Sequence, residues 1–163
     1  MLKDTVYNLL NDQINHELYS AYMYLSMASY FEAANLMGFA KWMEIQSGEE
    51  REHAEKFYEY IFDRGGKVVL KAIGEPPASW TGPLDAFENV YKHEQKVTSL
   101  INNIFAEAVK ENDYATQVML HWFINEQVEE EKNAAQVVEM LKMVGDNKNA
   151  LMMVDHHLGE RGE

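Results

Sequence analysis

Apolar side chains recur at spacings of three and four along most of the chain, the period of a helix that buries one face. The first such stretch runs from Asp4, read as an N-cap, to about Asn35, with Val6, Leu10, Ile14, Ala21, Leu25 and Ala28 on its inward side. Gly38 opens a second, and Gly65-Gly66 closes it by supplying the left-handed turn that helix C-termini favour. Pro83 suits the first turn of a third helix, which lasts to about Glu111. Asn112 to Tyr114 is a short break in which Asp113 caps a fourth helix ending near Gly145. A last short pattern puts Ala150, Leu151, Val154 and Leu158 on one side. No strand pattern, internal repeat or low-complexity tract competes, so the expected fold class is all-α, a single domain over residues 1–163.

Connection lengths restrict how these helices are joined. Breaks of a few residues make the first and second antiparallel, and likewise the third and fourth. Between the second and third lie the 16 residues "KVVLKAIGEPPASWTG", whose adjacent prolines and two glycines predict an extended segment. At ~3.3 Å per residue such a segment reaches ~50 Å. A helix of ~27 residues is only ~40 Å long, so the connection can run the full length of a four-helix bundle as one long crossover.

Each long helix has ionisable or amide residues in the middle of its apolar stripe. In the first, Leu10, Ile14, Tyr24 or Leu25, and Ala28 flank Glu17; in the second, Phe39, Trp42, Phe57 and Tyr60 flank Gln46, Glu50 and His53. Leu84, Phe87, Tyr91, Thr98, Ile101, Phe105 and Ala108 surround Glu94 in the third. Thr116, Leu120, Phe123, Ala134, Val137 and Leu141 surround Gln127 and Glu130 in the fourth. These interruptions fall near the helix midpoints, which lie level with one another in an antiparallel bundle. Glu17, Glu50, His53, Glu94, Gln127 and Glu130 are therefore expected to converge at one interior point.

Charge and composition narrow what that point does. Twenty-seven acidic against 14 basic side chains, a formal charge of −13, disfavour binding to nucleic acid and favour attracting cations. The absence of cysteine excludes disulfides, zinc ribbons and thiolate-held iron. No leader-like N-terminus or apolar run of ~18 residues is present, so a cytoplasmic protein with no membrane partner is expected. Four carboxylates buried together cannot all remain ionised without compensation, and two divalent cations would cancel their formal charge. Oxygen-rich ligands with one imidazole suit iron(II) or manganese better than copper or structural zinc.

Glu17, the Glu50-x-x-His53 pair, Glu94 and the Gln127-x-x-Glu130 pair resemble the ferroxidase centre of bacterial non-haem ferritins, over essentially the whole chain. The resemblance implies a ferritin-like four-helix bundle with a short fifth C-terminal helix. It implies two iron ions per subunit, one held by Glu17, Glu50 and His53, the other by Glu50 as a bridge, Glu94 and Glu130, with Gln127 close by. It further implies a third, transit-like iron site at Glu49, Glu126 and Glu129 with Glu130 shared, and places Tyr24 beside the centre. Bacterioferritins, by contrast, repeat Glu-x-x-His on the fourth helix and carry a haem-ligating methionine near the bridging glutamate; here position 130 is Glu, and Arg51 and Glu52 follow Glu50, so haem is not expected.

The activity implied is oxidation of Fe(II) by O2 or H2O2, with storage of hydrated ferric oxide in a homo-oligomeric shell of 24 subunits. In that shell the short last helix would line pores at the four-fold axes. His156 and His157 fit either a pore lining or a solvated helix end. Two other functions remain open on the residues themselves: a non-catalytic iron store, and a di-iron oxidase that forms no shell.

Overall fold

The computed structural model describes residues 2–162, and the end residues Met1 and Glu163 of the expected 1–163 domain lie outside it. Five helices follow in order: α1 (Asp4–Ala33), α2 (Met37–Asp63), α3 (Pro83–Lys110), α4 (Tyr114–Val144) and α5 (Lys148–Gly159). Among the described residues there is no strand. α1 to α4 form the bundle, and α5 packs across α2 and α4 at one end.

The links work as chain chemistry requires. α1, α2 and α3 end in the same way, with the amide two residues past the cap bonded back to a carbonyl five residues earlier: Leu36 to Phe31, Gly66 to Ile61 and Asp113 to Ala108. The residue before each of these adopts a left-handed conformation, Asn35 at φ 58°, Gly65 at 72° and Asn112 at 55°. Asparagine tolerates that region better than other side chains, which explains its use at both tight turns. Asp113 caps α4 as expected, accepting from the Thr116 amide, and Pro83 occupies the first turn of α3. At the start of α1 the cap position is Lys3, and Asp4 is instead the first helical residue, where its charge faces the positive end of the helix dipole. α2 likewise begins one residue earlier than Gly38, at Met37.

The crossover is extended and lies along α1. The Tyr7 hydroxyl donates to the Lys67 carbonyl at 2.5 Å, the Val69 amide donates to Asn11 Oδ1 at 2.8 Å, Asn15 Nδ2 donates to the Ala72 carbonyl at 3.1 Å, and Ser26 Oγ donates to the Pro77 carbonyl at 2.6 Å. Trp80 finishes the run edge-on to Tyr30, with ring centroids 5.4 Å apart. These anchors carry the chain back along α1, so α3 starts beside the end of α1 and runs parallel to α2.

The apolar core is in two parts. One is built on Phe31, Phe39, Trp42 and Phe87, the other on Leu10, Ile14, Phe57, Ile101 and Phe123, with Phe57 stacked on Phe123 at 4.0 Å. The expected stripes hold throughout α4 and nearly throughout α2, where Tyr60 is half-buried. In α1 the choice between Tyr24 and Leu25 goes to Tyr24, which is fully buried, while Leu25 is 52% exposed. With 100° of turn per residue, the inward face at this level is filled by Met23 and Tyr24, which carries Leu25 round to the outside. In α3 Phe87, Glu94, Ile101 and Ala108 of the expected stripe are buried, but Val90, Val97 and Ile104 are buried in place of Tyr91, Thr98 and Phe105, which are half-buried one residue further on.

α5 is held by a close backbone approach. A Cβ on Gly38 would stand 1.7 Å from the Asp155 carbonyl oxygen, and Asp155 Oδ1 accepts from the Phe39 amide at 3.0 Å. Gly38→Ala is therefore expected to push α5 off α2, costing about 1–3 kcal/mol in denaturant unfolding. Hydrogen exchange should then be faster in α5 than in α1 to α4; unchanged α5 protection would show that the backbone accommodates the methyl.

Candidate metal centre

Between the two apolar parts lies a polar layer, and every helix of the bundle contributes to it. Glu17, Glu50, His53, Glu94, Gln127 and Glu130 each lie within about three residues of a helix midpoint. All six are buried, at 5% exposure or less. The expectation of convergence at one level holds.

Two groups of ligand atoms are close enough to share an ion. One oxygen or nitrogen from each of Glu17, Glu50 and His53 lies within 4.8 Å of the others, and the same is true of His53, Glu126 and Glu130. Glu94 is in neither group. Its carboxylate accepts from the Tyr24 hydroxyl through one oxygen and from Gln127 Nε2 at 3.2 Å through the other. Glu126 is half-buried and Glu129 exposed, and Glu49 Oε2 accepts from Arg161 Nη2 at 2.5 Å.

Amides tie the layer together. Gln13 Nε2 donates to Glu17 Oε1 at 2.8 Å, and Gln46 Nε2 donates to Glu130 Oε2 at 2.8 Å and Glu50 Oε1 at 3.2 Å. Gln127 also reaches the Glu94 carbonyl at 3.2 Å and Thr98 Oγ1 at 3.3 Å. Sequence reasoning placed Gln46 in the stripe without giving it a partner, and it missed Gln13. Both stand four residues before a site carboxylate, the spacing of side chains stacked on one helix face, and that repeat was a readable signal. His93 is within 2.7 Å of Ser20 Oγ, and burial lowers its pKa to about 4.

The carboxyls are charged only at a penalty. Burial pushes Glu94 and Glu130 up to about 7, reinforced at Glu130 by the charge of Glu94. Burial, and then neighbouring carboxylates, raise Glu17 and Glu50 well above the ordinary range. Tyr24 is raised too, first by burial and then by Glu94. Among the described residues no lysine or arginine pairs with any of these four carboxyls, and the buried Glu17 Oε2 has no hydrogen-bond partner. A buried carboxyl oxygen that no amide, hydroxyl or basic side chain reaches, beside a second carboxyl and an imidazole, fits a divalent cation, which would take the charge and displace the protons.

A four-helix bundle with one long crossover and a carboxylate-rich centre at its mid-level defines the class of helical proteins that hold a pair of metal ions between their helices. The ferritin-like domain family matches residues 7–144. Over 161 residues the chain is 40% identical to the bacterial non-heme ferritin of Bacteroides fragilis, covering 99% of this chain and 100% of that one. With the bacterial non-heme ferritin of Staphylococcus aureus it shares 38% identity, covering 99% and 97%. Its fold superposes on the crystal structure of an open pore ferritin from the hyperthermophilic archaeon Archaeoglobus fulgidus with a TM-score of 0.98 at 46% identity and 99% coverage of both chains. An engineered closed form of that archaeal ferritin gives 0.97 at 46% identity, covering 99% and 98%. The chain belongs to the ferritin family, and its function is iron storage.

Protonation of the empty centre has a measurable consequence. Glu94 holds its proton up to about pH 7 when folded and releases it near 4.5 when unfolded, so across that window the folded state binds more protons and loses stability as pH rises. Metal-free protein is expected to melt roughly a few degrees lower at pH 7.5 than at 6.5. His93 and His16, whose pKa values burial lowers, act in the opposite direction and offset part of this drop, because their unfolded imidazoles are still releasing protons just above 6.5. Scanning calorimetry of Glu94→Gln should show a smaller drop; an equal drop would locate the pH dependence elsewhere.

Proposed function

We propose that this chain is a ferroxidase that oxidises Fe(II) at an intrasubunit centre and stores the product as hydrated ferric oxide inside a shell of 24 copies. The observation that carries the reading is the bare Glu17 Oε2, buried where Glu17, Glu50 and His53 converge. Iron is the substrate. Glu17, Glu50 and His53 hold one ion; Glu50 as a bridge, Glu94 and Glu130 hold the other, with Gln127 beside it as a neutral neighbour. Glu126, grouped with His53 and Glu130, leads outward from the centre to a transit site completed by Glu49 and Glu129. The absence of any thiolate fits carriage by oxygen ligands, and haem is not part of the proposal.

The chemistry follows from the donors. Carboxylates stabilise iron(III) over iron(II), which makes the bound pair easier to oxidise. Two Fe(II) ions each lose one electron. O2 takes both electrons with two protons to give H2O2, or H2O2 takes them with two protons to give two waters. Glu94 and Glu130, still partly protonated at neutral pH, release protons as the ions bind. Tyr24, hydrogen-bonded to Glu94, keeps that carboxylate oriented.

Assembly draws support from the surface. Tyr22, Leu25 and Ile73 form an exposed apolar strip where the crossover passes α1, and Met143, Met152 and Met153 are exposed about α4 and α5. Burial of such strips between copies fits a shell. The side chains of His156 and His157 are exposed and lie 3.6 and 3.7 Å from Glu160, at a helix end that faces a pore in such an assembly. No helix among the described residues is long and apolar enough to cross a membrane, and a cytoplasmic store is the proposed setting.

Fe(II) added anaerobically to metal-free protein and then exposed to air should be oxidised rapidly at about two ions per chain, followed by ferric absorbance. Glu50→Ala and Glu130→Ala should slow this by about tenfold or more. Sedimentation should give about 450 kDa, 24 chains of 18.9 kDa each. Oxidation no faster than buffer would remove the enzymatic assignment, and a small particle would remove the shell.

A further inference from the structure

The C-terminal end of the chain reaches the rim of the metal centre. α5 is docked along the start of α2: the Phe39 amide donates to Asp155 Oδ1 at 3.0 Å, and Lys41 Nζ donates to the Gly159 carbonyl at 2.8 Å. A Cβ on Gly159 would stand 3.2 Å from Gly38 Cα, so this end of α5 lies almost against the α2 backbone. Two residues beyond the helix, the Arg161 guanidinium lies over the Trp42 ring, 4.5 Å from its centroid. Its Nη2 donates to Glu49 Oε2 at 2.5 Å, whereas Nη1 is buried with no partner among the described residues. Lys41 and Glu49 are eight residues apart on α2, or ~12 Å. The docked end of α5 thus spans the distance from the tip of the bundle to its metal-bearing middle.

Glu49 is next to Glu50 in sequence, and its charge is felt at Glu130. The guanidinium therefore occupies an oxygen that a cation leaving the centre would use, and adds a positive charge beside that path. We propose that Arg161 is a latch on the transit site: seated on Trp42 it claims Glu49 and keeps a third cation from settling, and its displacement opens the way past Glu126 and Glu129. The latch rests on the transit site of the proposed function. Its side chains are partly solvated, Arg161 at 23% and Glu49 at 41% exposure, unlike the buried carboxylates within the centre. A pair so exposed is weak enough for a doubly charged ion to displace. Filling of the two inner positions would supply that ion and repel the guanidinium, coupling release toward the store to occupancy of the centre.

Cobalt(II), which does not turn over, tests the latch by binding alone. Calorimetric titration of metal-free full-length protein is expected to show about two tight sites per chain and a weaker third. Arg161→Ala should strengthen only the third step, by about three- to tenfold. Arg161→Gln, which keeps the packing on Trp42 and loses the charge, should give a similar gain. Glu49→Gln should weaken the third step, and adding Arg161→Ala to it should restore nothing. A third step equal in the parent and both Arg161 variants, or absent from all of them, overturns the latch and leaves the inner pair intact. Loss of the two tight steps in the parent overturns the di-iron reading, and the latch with it.

Discussion

Four carboxyl groups taken out of water at one level of a helical bundle set the terms for the rest of this molecule. An ionised carboxylate in an apolar interior is tolerated only when it is paired, hydrogen-bonded or metal-bound. Here the layer has amide donors from Gln13, Gln46 and Gln127 and a hydroxyl from Tyr24, yet among the described residues no lysine or arginine. The amides fix the carboxylates in place without neutralising them, and one oxygen of Glu17 is left bare. The apolar parts above and below bear the work of holding the helices together, with aromatic stacking at Phe31–Phe39 and Phe57–Phe123. The centre is thereby rigid and poised to exchange protons for cations.

Placing the ligands on helices rather than loops gives them well-defined separations, but it requires four independent helices to agree in height and rotation. Short turns with left-handed asparagines set the height within each antiparallel pair. The crossover sets the height between pairs, because Asn11, Asn15 and Ser26 bond to its backbone at successive levels of α1. A connection that is mostly backbone on an exposed face would otherwise slide. Structure far from the carboxylate layer thus determines whether its side chains meet.

α5 adds a different relation between end and middle. Glycines at 38 and 159 allow two helices to approach almost backbone to backbone, and that approach delivers Arg161 to Glu49. Trp42 serves both sides of this arrangement, packing against Phe87 in the core and carrying the guanidinium outside. A single aromatic side chain links the core, the C-terminal segment and the rim of the centre.

The sequence by itself determined the helices, their pairing, the crossover and the six side chains that meet at mid-bundle. Those properties are periodic or local: a face repeats every 3.6 residues, Asp113 caps its own helix, and Glu50 and His53 are fixed relative to each other by three residues of helix. Only the tertiary structure decided which of Tyr24 and Leu25 faces inward, since adjacent apolar residues are equivalent until a neighbouring helix selects one. It also decided that Glu94 turns to Tyr24 and Gln127, and that Glu126 rather than Glu94 groups with His53 and Glu130. The pairing of Arg161 with Glu49, 112 residues apart, was beyond any reading of local pattern. Distances across a bundle depend on how helices rotate against one another, and no spacing within one helix encodes that rotation.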